Sequence, residues 1–174
     1  MTQSLVVHIT YFHKDPSRNP SKRISYLQRI LDEYDKFTCV SVDIFIHTNT
    51  SIDNVFDPPK NCSFNIIVHK LRKDENPHYL TWKCRNLLKS QRNDFDYFCY
   101  CEDDILMKES TCQYWLKYKD QCIENQYNLG FLRIETDKHK NRYALDLTKK
   151  LKAIVTIKDV KFVDIRSTTI GKGF

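Results

Sequence analysis

Tyr97-Phe98-Cys99-Tyr100-Cys101-Glu102-Asp103-Asp104 is the stretch on which the reading of the fold turns. Five aromatic or thiol side chains in a row have the composition of a buried strand, and three carboxylates follow at once. A run that apolar, ending in that much charge, delivers its acids to the mouth of a sheet. Three adjacent carboxylates repel one another strongly unless a cation sits among them. Hard oxygen ligands of this kind suit magnesium or manganese rather than zinc. In a continuing strand Glu102 and Asp104 share one face and Asp103 takes the other.

Upstream, Leu5-Val6-Val7-His8-Ile9 is rich in β-branched residues and predicts a buried, central, parallel strand. The turn chemistry of Pro16, Asn19 and Pro20 makes residues 11–20 a loop. Ser21 is placed to cap a helix to about residue 36, with Ile24, Leu27, Ile30, Leu31 and Tyr34 on one face. Further strands are predicted over residues 40–47 and 64–68, separated by a loop carrying Pro58-Pro59. Asn76 then has the character of an N-cap and Pro77 that of a first helical residue, opening a helix to about residue 92 that buries Leu80, Cys84, Leu87 and Leu88. Downstream of the acids, Cys112, Trp115, Leu116, Lys119 and Ile123 recur at helical spacing, predicting a helix from 109 or 110 to 125. A fifth strand over 129–134 and short strands over 142–147, 153–157 and 161–165, the last three in a meander, complete the pattern before Gly171-Lys172-Gly173-Phe174. Strands alternating with helices imply an α/β fold with a mostly parallel sheet flanked by helices, and the length suits one domain.

Composition narrows the functional classes. The net charge of +6 suits an anionic partner, but the lysines are spread along the chain, without the clustered stripe and interleaved aromatics that nucleic acid requires. Only three glycines occur, and neither a GxGxxG nor a GxxxxGK loop is present, so side chains, a helix N-terminus or a metal must hold any phosphate. The seven cysteines form no CxxC pair and sit mostly in apolar stretches, as free thiols of a reducing compartment do, and a cytoplasmic location is expected. No secretory h-region appears, and no apolar run approaches the roughly 20 residues of a transmembrane helix. His8, His13, His47, His69 and His139 lack metal-ligand spacing, and His8 and His47 are expected as hydrogen-bonded residues of the strands. No GxSxG, HExxH or Cys–His signature supports a hydrolase.

Open α/β sheets bind ligands at the carboxyl ends of their strands. Here those ends carry Thr10-Tyr11, Thr48-Asn49 and Glu102-Asp103-Asp104, which converge if the strands are parallel neighbours. Positive charge for a phosphate is available from the helix opening at Asn76-Pro77 and from Lys83 and Arg85.

With these residues in place, the chain resembles a GT-A-type glycosyltransferase over about residues 5–135, a family with a Rossmann-like nucleotide-binding half and a short acidic motif at a strand end. Glu102-Asp103-Asp104 matches that motif in its EDD form, and Arg85-Asn86, seventeen residues before Glu102, matches an Arg-Asn pair on the upstream helix. The resemblance implies a nucleotide-binding half over 1–106, a partial acceptor-side half over 107–174 with the short β meander, and Mn2+ or Mg2+ as cofactor. It further implies that Asp104 binds the metal with Glu102 beside it, and that Thr10, Tyr11, Asn49, Arg85, Glu102 and Asp103 contact the nucleotide sugar. Such domains usually run longer than this chain, and Glu135 and Asp137 are the candidates for a catalytic base. The expected activity is metal-dependent transfer of a sugar from a nucleotide-diphosphate sugar to a glycan, protein or lipid acceptor. The alternative is an inactive or truncated GT-A-like domain that retains donor binding.

Overall fold

β1 (Ser4–Tyr11) is buried from Leu5 onward, as a β-branched run with a strand on either side must be. The computed structural model of the chain describes residues 2–13, 21–52, 55–72, 74–144 and 153–165. In it β1 pairs in parallel with β2 (Ser41–Thr48), and β2 pairs in parallel with β3 (Ser63–Val68). On its other side β1 pairs in parallel with β4 (Tyr97–Glu102). The order β3-β2-β1-β4 means that the chain winds outward in one direction and then crosses back over β1. That reversal is the topological switch point of an open parallel sheet, and Glu102 lies there in register with Thr10.

Period-two alternation sorts the strand side chains between two helical layers. One sheet face carries Cys99, Cys101 and Asp103 and is covered by α1 (Ser21–Tyr34): the Tyr34 hydroxyl lies 3.8 Å from Cys99 Sγ, and Arg23 pairs with Asp103. Leu27, Ile30, Leu31 and Tyr34, four of the five residues expected on the inner face of α1, are fully buried, while Ile24 is half-buried. The other face carries His8, Thr10, Tyr100 and Glu102 and meets a broken helical stretch through Gln91.

That stretch departs from the single helix expected over 77–92. It consists of a 3-10 turn (Pro77–Tyr79), α2 (Leu80–Lys83) and α3 (Arg85–Ser90). Asn76 caps it as expected, its Oδ1 accepting from His78 N–H at 3.0 Å. The Thr81 hydroxyl bonds the His78 carbonyl at 2.8 Å and the Cys84 thiol bonds the Thr81 carbonyl at 3.2 Å; such side-chain bonds to preceding carbonyls tighten a helix locally. Leu80 and Cys84 are buried as predicted, whereas Leu87 and Leu88 are half-buried. A three-residue opening lacks the aligned peptides of a long helix, so phosphate binding at this N-terminus loses most of its dipole argument.

The chain forms two compact units, Met1–Cys112 and Gln113–Phe174, and the division falls inside α4 (Glu109–Glu124). In the second unit the expected strand over 129–134 is replaced by β5 (Ile134–Thr136), which pairs antiparallel with β6 (Arg142–Ala144) and not with the parallel sheet. The Leu129 carbonyl instead accepts from Trp115 Nε1 at 3.1 Å, and Leu129, Phe131 and Leu132 line an apolar cavity of about 280 Å3 with Val155 and Phe162. The predicted meander is two separate hairpins among the described residues, the second formed by β7 (Ala153–Ile157) and β8 (Val160–Asp164). Lys158 and Asp159 both hold positive φ, 45° and 66°, the backbone of a type I′ turn whose twist matches its strands. Pro16, Asn19 and Pro20, residues 145–147 and the terminal Gly171-Lys172-Gly173-Phe174 lie outside the described residues.

Candidate functional site

The carboxylate triplet is split by the strand that delivers it. Glu102 closes β4 on the α3 side and is exposed. It lines a pocket of about 370 Å3 with Thr81, Cys84, Arg85, Leu88 and Tyr100. Asp103 turns to the α1 side and is 1% exposed. Arg23 Nε donates to its Oδ2 at 2.8 Å and Arg23 Nη2 to its Oδ1, the forked geometry that suits guanidinium to carboxylate. Burial pushes the Asp103 carboxyl above its ordinary range, against the pull of Arg23, and the neighbouring charge of Asp104 adds to the rise. Asp104 is exposed in the turn closed by Ile105 N–H on the Glu102 carbonyl at 3.1 Å. Glu102 and Asp104 therefore remain for ligands. Asp103, expected beside the nucleotide sugar, is buried and paired with Arg23.

Two carboxylates at a strand end fit a hard divalent ion that completes its shell with water and phosphate oxygens, as magnesium commonly does. No cluster of three or more His, Cys, Asp or Glu suited to a metal occurs among the described residues.

The other strand ends are clamped. The Thr10 hydroxyl is 3.0 Å from the Tyr100 hydroxyl, and Thr10 is buried. Tyr11 is buried too, its hydroxyl 3.0 Å from His13 Nδ1. The Asn49 amide is used twice on His13, accepting from its N–H at 2.8 Å and donating to its carbonyl at 3.1 Å. Thr10, Tyr11 and Asn49, expected to contact a nucleotide, are hydrogen-bonded within the rim of the sheet.

Arg85, expected to line the donor diphosphate or sugar, lines the same pocket as Glu102. Its guanidinium lies 3.5 Å from the centre of the Trp82 ring, a cation–π contact that orients it. Lys83 is paired with Glu75 at 2.9 Å. In the second unit Asp137 accepts from His139 N–H at 2.8 Å, Asn141 N–H at 2.9 Å, Asn141 Nδ2 at 3.0 Å and the Tyr143 hydroxyl at 3.2 Å. Those bonds, led by Asn141, hold its carboxyl below the usual range, so it braces a turn and is a weak base. Glu135 sits in β5, with Arg133 Nε 4.0 Å away.

No family model, curated protein or solved structure matches the chain. No helix among the described residues is long and apolar enough to cross a membrane.

A feature missed in the sequence crosses the sheet on its α3 face. His8 Nδ1 is 2.8 Å from His47 Nε2, and His47 Nδ1 is 2.8 Å from His69 Nε2. His8 Nε2 meets Gln91 Oε1 at 3.0 Å. His8 pairs in register with Phe45 and His47 with Ile67, so each successive histidine lies two residues further along the next strand. A step of two keeps the face and brings the rings side by side, with centroids 5.1 Å apart at both steps. The signal was readable only with the strand register in hand, because the sequence separations follow no ligand pattern.

Burial depresses the basicity of all three rings, and His47 falls to about 3. The unfolded chain therefore binds more protons than the folded one below the ordinary histidine value of about 6.5. Stability should be full above that pH and should fall as the pH drops from about 6.5 towards about 3, by an amount on the order of a few kcal/mol. Urea melts across this range will measure it, and the acid sensitivity should shrink in His47→Phe. Separately, Arg23→Ala leaves Asp103 buried without its partner and should lower stability by about 2 kcal/mol, less than for a fully buried pair because Arg23 is 43% exposed. Equal urea midpoints for Arg23→Ala and wild type would remove the structural role of the pair.

Proposed function

We propose that the chain is the nucleotide-sugar-binding part of a metal-dependent glycosyltransferase, moving a sugar from a nucleoside diphosphate to an acceptor. The observation that carries this reading is the pocket at the β1–β4 switch point, in which Arg85 and Glu102 face one ligand space. Arg85, held over Trp82, forks onto the diphosphate. Tyr100, exposed in part on the same pocket, offers its ring to the sugar or the base. Glu102 and Asp104 hold the divalent ion, which when bound neutralises charge on the departing diphosphate. The contact of Arg23 with the buried Asp103 fixes the backbone from which both carboxylates project. The resemblance of the EDD segment and the Arg85-Asn86 pair to GT-A-type enzymes supports the same reading.

A second reading, donor binding without transfer, is favoured by the bonding of Asp137, whose carboxylate is committed to its turn. Calorimetric titration with UDP and GDP, with and without Mn2+, tests the binding common to both. Tight binding should require the metal for at least one nucleotide. Asp104→Ala should abolish the metal requirement, and Arg85→Ala should weaken binding by about tenfold or more, the scale of a lost charge-assisted hydrogen bond. Affinity unchanged in both variants would mean that the site is elsewhere. Release of the nucleotide from UDP- and GDP-sugars, assayed on the same protein, separates transfer from binding alone.

A further inference from the structure

The chain of imidazoles has a direction, and it ends at a second pocket. The Gln91 carbonyl oxygen can only accept, so His8 Nε2 carries a proton and donates to it. His8 Nδ1 is then the acceptor for His47 Nε2–H, and His47 Nδ1 the acceptor for His69 Nε2–H. His69 is thereby left with a bare Nδ1, which has no hydrogen-bond partner among the described residues. One amide at the end of α3 thus sets the tautomer of a ring two strands away.

His69 lines a pocket of about 640 Å3 with Glu75, Tyr79, Trp82, Lys83 and Asn86, and neither Arg85 nor Glu102 belongs to it. Trp82 is 57% and Tyr79 55% exposed, much apolar ring surface for one small region. Lys83 is neutralised by Glu75 at 2.9 Å, so the pocket offers an anion little unpaired charge. Aromatic rings, a side-chain amide and a fixed imidazole acceptor suit a neutral ligand that presents C–H faces and donating hydroxyls. A sugar ring has that chemistry.

We propose that this pocket binds a neutral saccharide, with His69 Nδ1 accepting from a sugar hydroxyl and Gln91 acting as a positioning residue through His8 and His47. The site is separate from the Arg85–Glu102 pocket, and saccharide binding is claimed whether or not the chain transfers a sugar.

The test uses the full chain and an array of neutral gluco-, galacto-, manno- and N-acetylglucosamine oligosaccharides, with the best binder then titrated by tryptophan fluorescence and ligand-detected NMR. At least one oligosaccharide should bind, and Trp82→Ala and His69→Ala should each weaken it by about tenfold or more. UDP and GDP affinity should be unchanged in His69→Ala, which keeps failure of this site distinct from failure of the nucleotide site. Long-range 1H–15N spectra of the wild type should show His69 protonated at Nε2 alone. Gln91→Leu should mix the His69 tautomers and weaken saccharide binding although Gln91 lies outside the pocket, and Gln91→Glu, which keeps the acceptor, should restore it. Circular dichroism checks the fold of each variant. If Gln91→Leu does not fold, the wild-type tautomer and the two pocket variants decide. No binding on the array, binding unchanged in Trp82→Ala and His69→Ala, or a proton on His69 Nδ1 would overturn the proposal.

Discussion

Burying the Asp103 carboxylate strips it of water, and the forked contact from Arg23 offsets that cost. The consequence reaches past stability. With Asp103 committed to the α1 side, Glu102 is held on the opposite face and Asp104 in the turn beyond. The turn that follows β4 is thereby fixed to the first turn of α1, two segments far apart in sequence. Removing the pair would free the backbone that aims the two exposed carboxylates, so an interaction that touches no ligand governs the geometry of those proposed to do so.

Around this anchor the rim of the sheet divides into rigid and open parts. Thr10 with Tyr100, Tyr11 with His13, and Asn49 with the His13 backbone close the ends of β1, β2 and β4 with direct hydrogen bonds. The open surface lies toward the short segments α2 and α3, where Arg85, Trp82 and Tyr79 project from a helical stretch broken at Cys84. That division places fixed acids on the sheet and the aromatic and cationic side chains on separate short helices. In the proposed reading the two pockets there share Trp82 as their boundary: its ring carries Arg85 for one and lines the other.

Much of this was legible beforehand, for identifiable reasons. The strands of the parallel sheet were read within two residues at either end, because β-branched and aromatic runs bounded by polar loops leave few alternatives. The separation of Glu102 from Asp103 followed from alternation alone. The buried partner of Asp103 did not, because Arg23 comes from a different element and sequence carries no distance. The helix over 77–92 was read as continuous since its apolar spacing is helical, and the hydroxyl and thiol bonds that tighten it at Thr81 and Cys84 are invisible to periodicity. The expected strand over 129–134 was misplaced because a short apolar run signals burial without saying whether a sheet or a cavity receives it. The histidine chain needed the register of three strands, which no spacing rule supplies.

In the proposed site a divalent ion joins Glu102 and Asp104 to a diphosphate while Asp103 stays with Arg23. Anomalous diffraction at the manganese edge from crystals grown with Mn2+ and UDP or GDP tests it most directly. One strong peak is expected between the nucleotide phosphates and the Glu102 and Asp104 carboxylates, with the Asp103–Arg23 contact intact. A peak coordinated by Asp103 with Arg23 displaced, or a nucleotide bound away from Arg85 with no peak at these acids, would contradict it.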